Sequence, residues 1–215
     1  MTDILICGIN GKMGREVYSL ASQSTAFNVV CGVDKHTFGN FDCPVYTSLA
    51  EVNAHFDAII DFSSPSALEG LLAAAREYGC ALLICTTGHS PDQLKAIDEA
   101  SKTLPVRLMP NTSQGIAALS SVLPTLCKLL SGFDVCITET HRKGKKDAPS
   151  GTARALAQLI PTEAQLCSFR AGDVPGTHTV SFYSGEESVS ITHTAFSRRA
   201  FAEGALKALS ALLSP

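Results

Sequence analysis

The first half of the chain alternates short apolar runs with amphipathic stretches. Residues 4–7, 28–33, 58–62, 81–85 and 106–109 are dominated by apolar and β-branched residues, the mark of strands buried on both faces. Helices are expected between them: over 15–21, from Ser64-Pro65 to about 78, and from Ser90 to about 102. Ser64-Pro65 sets a capping residue before a proline at the first helical position, and Ser90-Pro91-Asp92-Gln93 has the spacing of a capping box. This alternation predicts a parallel, doubly wound α/β sheet of Rossmann-like type. After a helix over 115–130 the pattern changes. Residues 133–140 and 178–183 have strand composition, 188–194 alternates with period two, and a helix from 150 to about 160 lies between the first two strands. That is a smaller α+β unit, one antiparallel or mixed sheet with helices on one face. A final helix rich in Ala and Leu is expected over 199–213.

Composition narrows the class. The 215 residues suffice for one large domain or two modest ones, with 45% apolar and 17% charged residues. A net charge of −3 and a pI near 6.0 argue against nucleic acid as a partner. No 18-residue apolar run and no basic-then-apolar leader is present, so neither a membrane span nor a secretory signal is expected. The 8 cysteines show no C-x-x-C spacing, and most lie in apolar runs. They read as reduced core residues of a cytoplasmic protein, not as a disulfide framework or metal site.

Two stretches carry chemistry. The first follows the opening strand: Gly8-Ile9-Asn10-Gly11-Lys12-Met13-Gly14, spaced G-x-x-G-x-x-G and leading into a helix. Glycines there let the backbone turn sharply and approach a pyrophosphate at the helix N-terminus. Asn10 takes the middle slot, and Asn tolerates positive φ. Asp34 ends the second strand about twenty residues on, where a carboxylate binds an adenosine ribose. Lys35 beside it can reach toward a 2′-phosphate, so NADH and NADPH are both expected, with NADH modestly favoured. The second stretch is residues 139–152. Arg142, Lys143, Lys145 and Lys146 follow His141 and lead into Asp147-Ala148-Pro149-Ser150-Gly151-Thr152, where Ser150 caps a helix whose first N–H groups are expected to be free. An imidazole, ammonium groups and a helix N-terminus make a site for a small anion with a proton donor beside it. His36, His55 and His89 lack a partner pattern and are expected at the surface.

With those stretches, Asp61-Phe62-Ser63, Thr86-Thr87-Gly88, Pro110-Asn111-Thr112-Ser113, Arg170-Ala171-Gly172-Asp173 and 193–198 in order along the chain, the sequence resembles the dihydrodipicolinate reductase (4-hydroxy-tetrahydrodipicolinate reductase) family. The resemblance implies a nucleotide-binding domain of residues 1–112 with 198–215 and a substrate-binding, catalytic domain of 113–197. It implies reduction of a cyclic imine dicarboxylate by NADH or NADPH, on the route to diaminopimelate and lysine, in a homotetramer built through the substrate-domain sheets. Gly8, Ile9, Asn10, Gly11, Lys12, Met13, Asp34 and Lys35 would hold the adenosine and pyrophosphate. Cys85, Thr86, Thr87, Met109, Pro110, Asn111 and Thr112 would lie toward the nicotinamide. His141 and Lys145 would be catalytic, and Arg142, Gly151 and Thr152 would bind substrate. Arg142 stands where many relatives have His, Cys85 where they often have Gly, and Thr112 where an aromatic is common. The segment between Thr152 and Arg170 is shorter than in many relatives. His193 and Arg198 stay open between a site role and structural ion pairing. Another imine or amino-acid dehydrogenase on this scaffold would not need the basic run together with Ser150-Gly151-Thr152. A nicotinamide-binding sensor could dispense with His141 and Lys145.

Overall fold

The computed structural model describes residues 1–214 and divides into two compact units, Met1–Thr112 with the chain from Phe201 onward, and Ser113–Ala200.

In the first unit, β1 (Thr2–Cys7), β2 (Phe27–Val33), β3 (Val45–Tyr46), β4 (Ala58–Asp61), β5 (Ala81–Ile84) and β6 (Val106–Leu108) form an all-parallel sheet in the order β3-β2-β1-β4-β5-β6. Successive residues point to opposite faces and both faces are covered, which explains why its strands are mostly apolar. Leu5, Cys7, Ile59, Leu82 and Ile84 point to one face, against α2 (Leu68–Tyr78) and α3 (Pro91–Ser101) through Leu71, Ala75 and Ile97. Ile4, Ile6, Ile60 and Leu83 point to the other, against α1 (Lys12–Ala21) through Val17 and Ala21, and against the closing helix Arg199–Leu213 through Ala202, Ala205 and Leu209. The Ser90–Gln93 capping box forms as expected. Ser64 stands at the N-cap with Pro65 behind it as expected, but its side chain makes no cap bond. Its hydroxyl meets that of Ser66, and a 3₁₀ turn, Pro65–Ala67, precedes α2.

The second unit holds α4 (Gln114–Leu129), β7 (Asp134–His141), α5 (Gly151–Ala157), β8 (Ala164–Arg170), β9 (Gly176–Tyr183) and β10 (Ser188–Ala195); the closing helix is thus α6. The sheet order is β10-β9-β7-β8, with β7 and β8 parallel and the other pairs antiparallel. Its inner face, with Ile137, Val180 and Phe182, packs on Leu119 and Leu123 of α4 and Leu156 of α5. Its outer face carries hydroxyl pairs Thr177–Thr194, Thr179–Thr192 and Ser181–Ser190. The pattern of polar and apolar positions did not mark β8. Leu166 faces inward while Phe169 is 56% exposed on the opposite side, so the strand has no apolar face to read. No helix among the described residues is long and apolar enough to cross a membrane. Cys7, Cys31, Cys80 and Cys85 are buried as expected, whereas Cys167 is exposed on the outer face of β8.

Candidate active site

The second unit gathers its titratable groups at one end of the inner sheet face. In β7 the alternation that buries Val135 and Ile137 also buries Glu139 and His141 on the same side. Glu139 is 1% exposed yet ionised, and its carboxylate is fully occupied. The Arg170 guanidinium meets it with two parallel bonds, Nη1 to Oε2 and Nη2 to Oε1, each 2.9 Å. The Ser150 N–H donates to Oε1 at 3.1 Å, and His141 Nδ1 bonds Oε2. Burial alone would raise the Glu139 pKa. The bonds from Arg170 and His141 outweigh burial and hold it at about 2. For His141 burial comes first and lowers the pKa; the Glu139 bond and charge oppose this, Lys145 and Arg170 reinforce it, and the net direction is down.

Two further histidines complete the group. His178 on β9 lies edge-on to His141 with ring centroids 5.1 Å apart, and His193, its register partner on β10, is 6.4 Å beyond. Both are tied to helix caps. Ser150 Oγ accepts from the Ala153 N–H of α5 and lies 3.2 Å from His178 Nε2. Ser113 Oγ accepts from the Ile116 N–H of α4 and lies 3.0 Å from His193 Nε2. Each ring is thus held by a hydroxyl that also caps a helix, the direction of each Ser–His bond following the ring tautomer. Burial, then the nearby His141, lowers the His178 pKa to about 4, and burial lowers that of His193. His193 is therefore hydrogen-bonded, not ion-paired, and Arg198 makes no ion pair among the described residues.

The helix N-terminus expected to be free is satisfied from within the chain. Ser150 caps it, and the Gly151 N–H interacts with the Asp147 carboxylate. Lys145 Nζ is bound to the same carboxylate at 2.8 Å. Asp147 thus holds the groups that sequence reasoning assigned to a ligand carboxylate. Lys145 is half-buried, while Arg142, Lys143 and Lys146 are exposed; Gly151 is exposed and Thr152 half-buried. A side chain at Gly176 would sit 3.0 Å from His141 Nε2, so the glycine leaves room for the ring. Glu139, Arg170 and His178 were missed as site residues. The signal for Glu139 was its position two before His141 on a strand. Arg170 and His178 meet the site only through strand pairing.

The first unit contains a cavity of about 680 Å³ at the C-terminal ends of its strands, beside β1 and β4 where the strand order reverses. Gly8, Asn10, Gly11, Asp34 and Lys35 line it as expected. Gly8 has φ 76, and a Cβ there would meet Phe62 O at 2.5 Å. Asn10 does not adopt positive φ. Its amide bridges the loop, donating to His36 O and accepting from Arg15. Asp34 Oδ2 accepts the Asn10 N–H at 3.0 Å, which leaves Oδ1 for a ligand. The α1 N-cap is Gly11, with no side-chain cap and no acidic residue in the first turn. An uncapped helix end, a glycine turn and an outward carboxylate oxygen fit the pyrophosphate and ribose of a dinucleotide.

His36 is exposed as expected and also lines this cavity, its ring stacked 5.2 Å from Phe38. Ile9, Lys12 and Met13 do not line it; the Ile9 side chain is wholly buried in the core. Nor do Cys85, Thr86, Thr87, Met109, Pro110, Asn111 and Thr112. Thr112 Oγ1 donates to Phe201 O, and the buried Thr86 hydroxyl has no partner. His55 is exposed as expected, but both ring nitrogens of His89 are buried without a partner.

Comparison with known proteins gives a consistent result. Residues 2–112 match the family model for the dihydrodipicolinate reductase N-terminus, and 115–214 match that for its C-terminus. The chain is 40% identical over 235 residues to a 4-hydroxy-tetrahydrodipicolinate reductase of Caldanaerobacter subterraneus subsp. tengcongensis, covering 99% of this chain and 93% of the relative. It is 36% identical to one from Clostridium tetani, covering 97% and 90%. Among solved structures, dipicolinate-bound dihydrodipicolinate reductase from Paenisporosarcina sp. TG-14 aligns with a TM-score of 0.81 at 20% identity, covering 99% of this chain and 95% of that one. At that identity the likeness shows the fold alone.

Proposed function

The chain belongs to the dihydrodipicolinate reductase family, and from that premise we propose how its residues divide the work of the reaction. It reduces 4-hydroxy-tetrahydrodipicolinate to tetrahydrodipicolinate in diaminopimelate and lysine biosynthesis. A nicotinamide cofactor supplies the hydride. The substrate gains hydride at C4 and loses its 4-hydroxyl, so one proton is taken up and one water leaves.

His141 is the proton donor in this reading. Its Nδ1 is committed to Glu139, so Nε2 is the atom that carries the transferable proton. The acid is the imidazolium, and a neighbouring anion favours that form during turnover. His178, held at about 4 by burial, stays neutral, while His141 is the ring of the three with a carboxylate bonded to it. Lys145 and the N–H groups of Gly151 and Thr152 take one ring carboxylate, which replaces Asp147 as the partner of Lys145 and Gly151. Arg142 takes the other, since a guanidinium grips a carboxylate with two bonds. The observation that carries these roles is the buried Glu139–His141 pair set beside Lys145 and the start of α5.

In the first unit, Gly8, Asn10 and Gly11 receive the pyrophosphate and Asp34 Oδ1 the ribose. Ile9, Lys12 and Met13 contribute through their backbone, and Cys85, Thr86, Thr87, Met109, Pro110, Asn111 and Thr112 flank the nicotinamide. Lys35 and His36 stand beside Asp34 at the cavity rim, which supports use of both NADH and NADPH, with NADH favoured. The assembly is a homotetramer joined through the outer face of the β10-β9-β7-β8 sheet, where no helix of the unit packs. Its location is the cytoplasm, in keeping with eight unpaired thiols. The test is oxidation of NADH and NADPH at 340 nm with 4-hydroxy-tetrahydrodipicolinate generated freshly in the cuvette. Turnover with both cofactors supports the reading, and no turnover with either removes it.

A further inference from the structure

Arg170 uses every donor it has. Of the guanidinium's five N–H groups, two go to Glu139, one to Phe169 O, one to Asp147 O and the Nε–H to Lys145 O at 3.3 Å. Glu139 is saturated in turn: each oxygen accepts one bond from Arg170, and the others come from His141 and the Ser150 N–H. These two side chains therefore touch, directly and at once, the acid His141, the backbone that carries Lys145 and Asp147, and the residue that caps α5. A buried ion pair adds little net stability, since desolvation offsets the attraction. Stability alone does not account for a pair whose remaining bonds, apart from the one to Phe169 O on its own strand, end on the acid, the anion-binding loop and the cap of α5.

We propose that Glu139 and Arg170 are one positioning unit for the reduction, Glu139 orienting and charging His141 so that Nε2 donates, and Arg170 fixing Glu139 and the Lys145 loop in a single geometry. The proposal rests on the assignment of His141 as acid. The mechanism is a balance of two opposite charges beside one imidazole. Facing His141 are Glu139 on its own strand, Arg170 on β8, His178 on β9 with His193 behind it on β10, and Lys145 with Asp147 on the loop before α5. Removing the carboxylate charge leaves the guanidinium, which disfavours imidazolium; removing the guanidinium leaves the carboxylate, which favours it. Lysine keeps the charge at 170 but cannot reproduce the planar fork.

The pH profile of kcat/KM tests this, because activity that needs protonated His141 is lost as pH rises through its pKa. In Glu139→Gln that alkaline limb should move down by about one pH unit or more, and in Arg170→Gln up by a similar amount. Arg170→Lys should keep the limb near the wild-type position while KM rises roughly tenfold, the scale of a lost charge-assisted bond. The His141 Cε1–H resonance, assigned by its loss in His141→Gln, should titrate with the same opposite shifts in the unreacting protein. Limbs and resonances that move in the same direction, or stay put in both glutamine variants, overturn the proposal. If either glutamine variant does not fold, Arg170→Lys decides: normal KM overturns it and raised KM with an unmoved limb supports it. An inactive wild type would instead remove the functional reading, while the resonance shifts would still judge the positioning unit.

Discussion

The loop after β1 and the loop after β7 each lead from a strand to a helix, and they are built from different materials. In the first, backbone does the work: Gly8 turns at φ 76, and a Cβ on Gly14 would strike Gly8 O at 2.1 Å. The helix end is left bare, and a single carboxylate, Asp34, ties down Asn10. In the second, side chains do it. Glu139, Arg170, Lys145, Asp147 and Ser150 saturate one another, and even the helix end is occupied by Asp147. A backbone site holds a ligand that recurs with one shape. A side-chain network sets the protonation state of one residue, which is what an acid needs.

The largest expected effect breaks the second loop at its cation. Lys145→Ala should lower kcat/KM by roughly 10²–10⁴, the span for a positioned charge or acid partner. Binding of NADH, measured by fluorescence titration, should stay as it was. Near-normal turnover would mean that Asp147, and not substrate, is the partner Lys145 serves.

The network should also make the second unit acid-sensitive. His178 has a folded pKa of about 4 against an ordinary 6.5, so the folded state resists its protonation. The stability it contributes is complete above about pH 6.5 and is lost as pH falls through 4. Between pH 7 and 5 this amounts to about 2 kcal/mol. Glu139, held at about 2, adds a second loss that begins below its ordinary 4.5. Thermal melts of wild type and His178→Gln should therefore converge on going from pH 7 to pH 5. Parallel curves would show that His178 is not the group responsible.

The smallest effect sharpens the first loop. Lys35→Ala should weaken NADPH by roughly fivefold, the scale of a partly exposed charge contact, and leave NADH almost unchanged. The difference should shrink with added salt. Equal losses for both cofactors would show that Lys35 does not read the 2′-phosphate.

The same contrast explains what was legible beforehand. The parallel sheet, its helices and the Ser90 capping box are local patterns, and Gly8, Gly11, Asp34 and Lys35 follow from a strand, a turn and a helix in succession. His141 and Lys145 stood out through the charge run. Glu139 looked like one polar residue in a strand, and Arg170 lies on β8, whose alternation conceals it. His178 reaches His141 only because β9 pairs with β7. Asp147 on Gly151 and Lys145 was not expected either, because a charge run does not reveal which of its members pair internally. Ser64 holds the expected N-cap position, but its hydroxyl bonds Ser66 and not the helix end.

The division of labour between the two loops is tested most directly in one variant. His141→Gln should lower kcat by roughly 10²–10⁴, while the dissociation constant for NADH, measured calorimetrically without substrate, stays within about twofold of wild type. Cofactor affinity that falls in step with kcat, or a kcat near the wild-type value, would contradict the account.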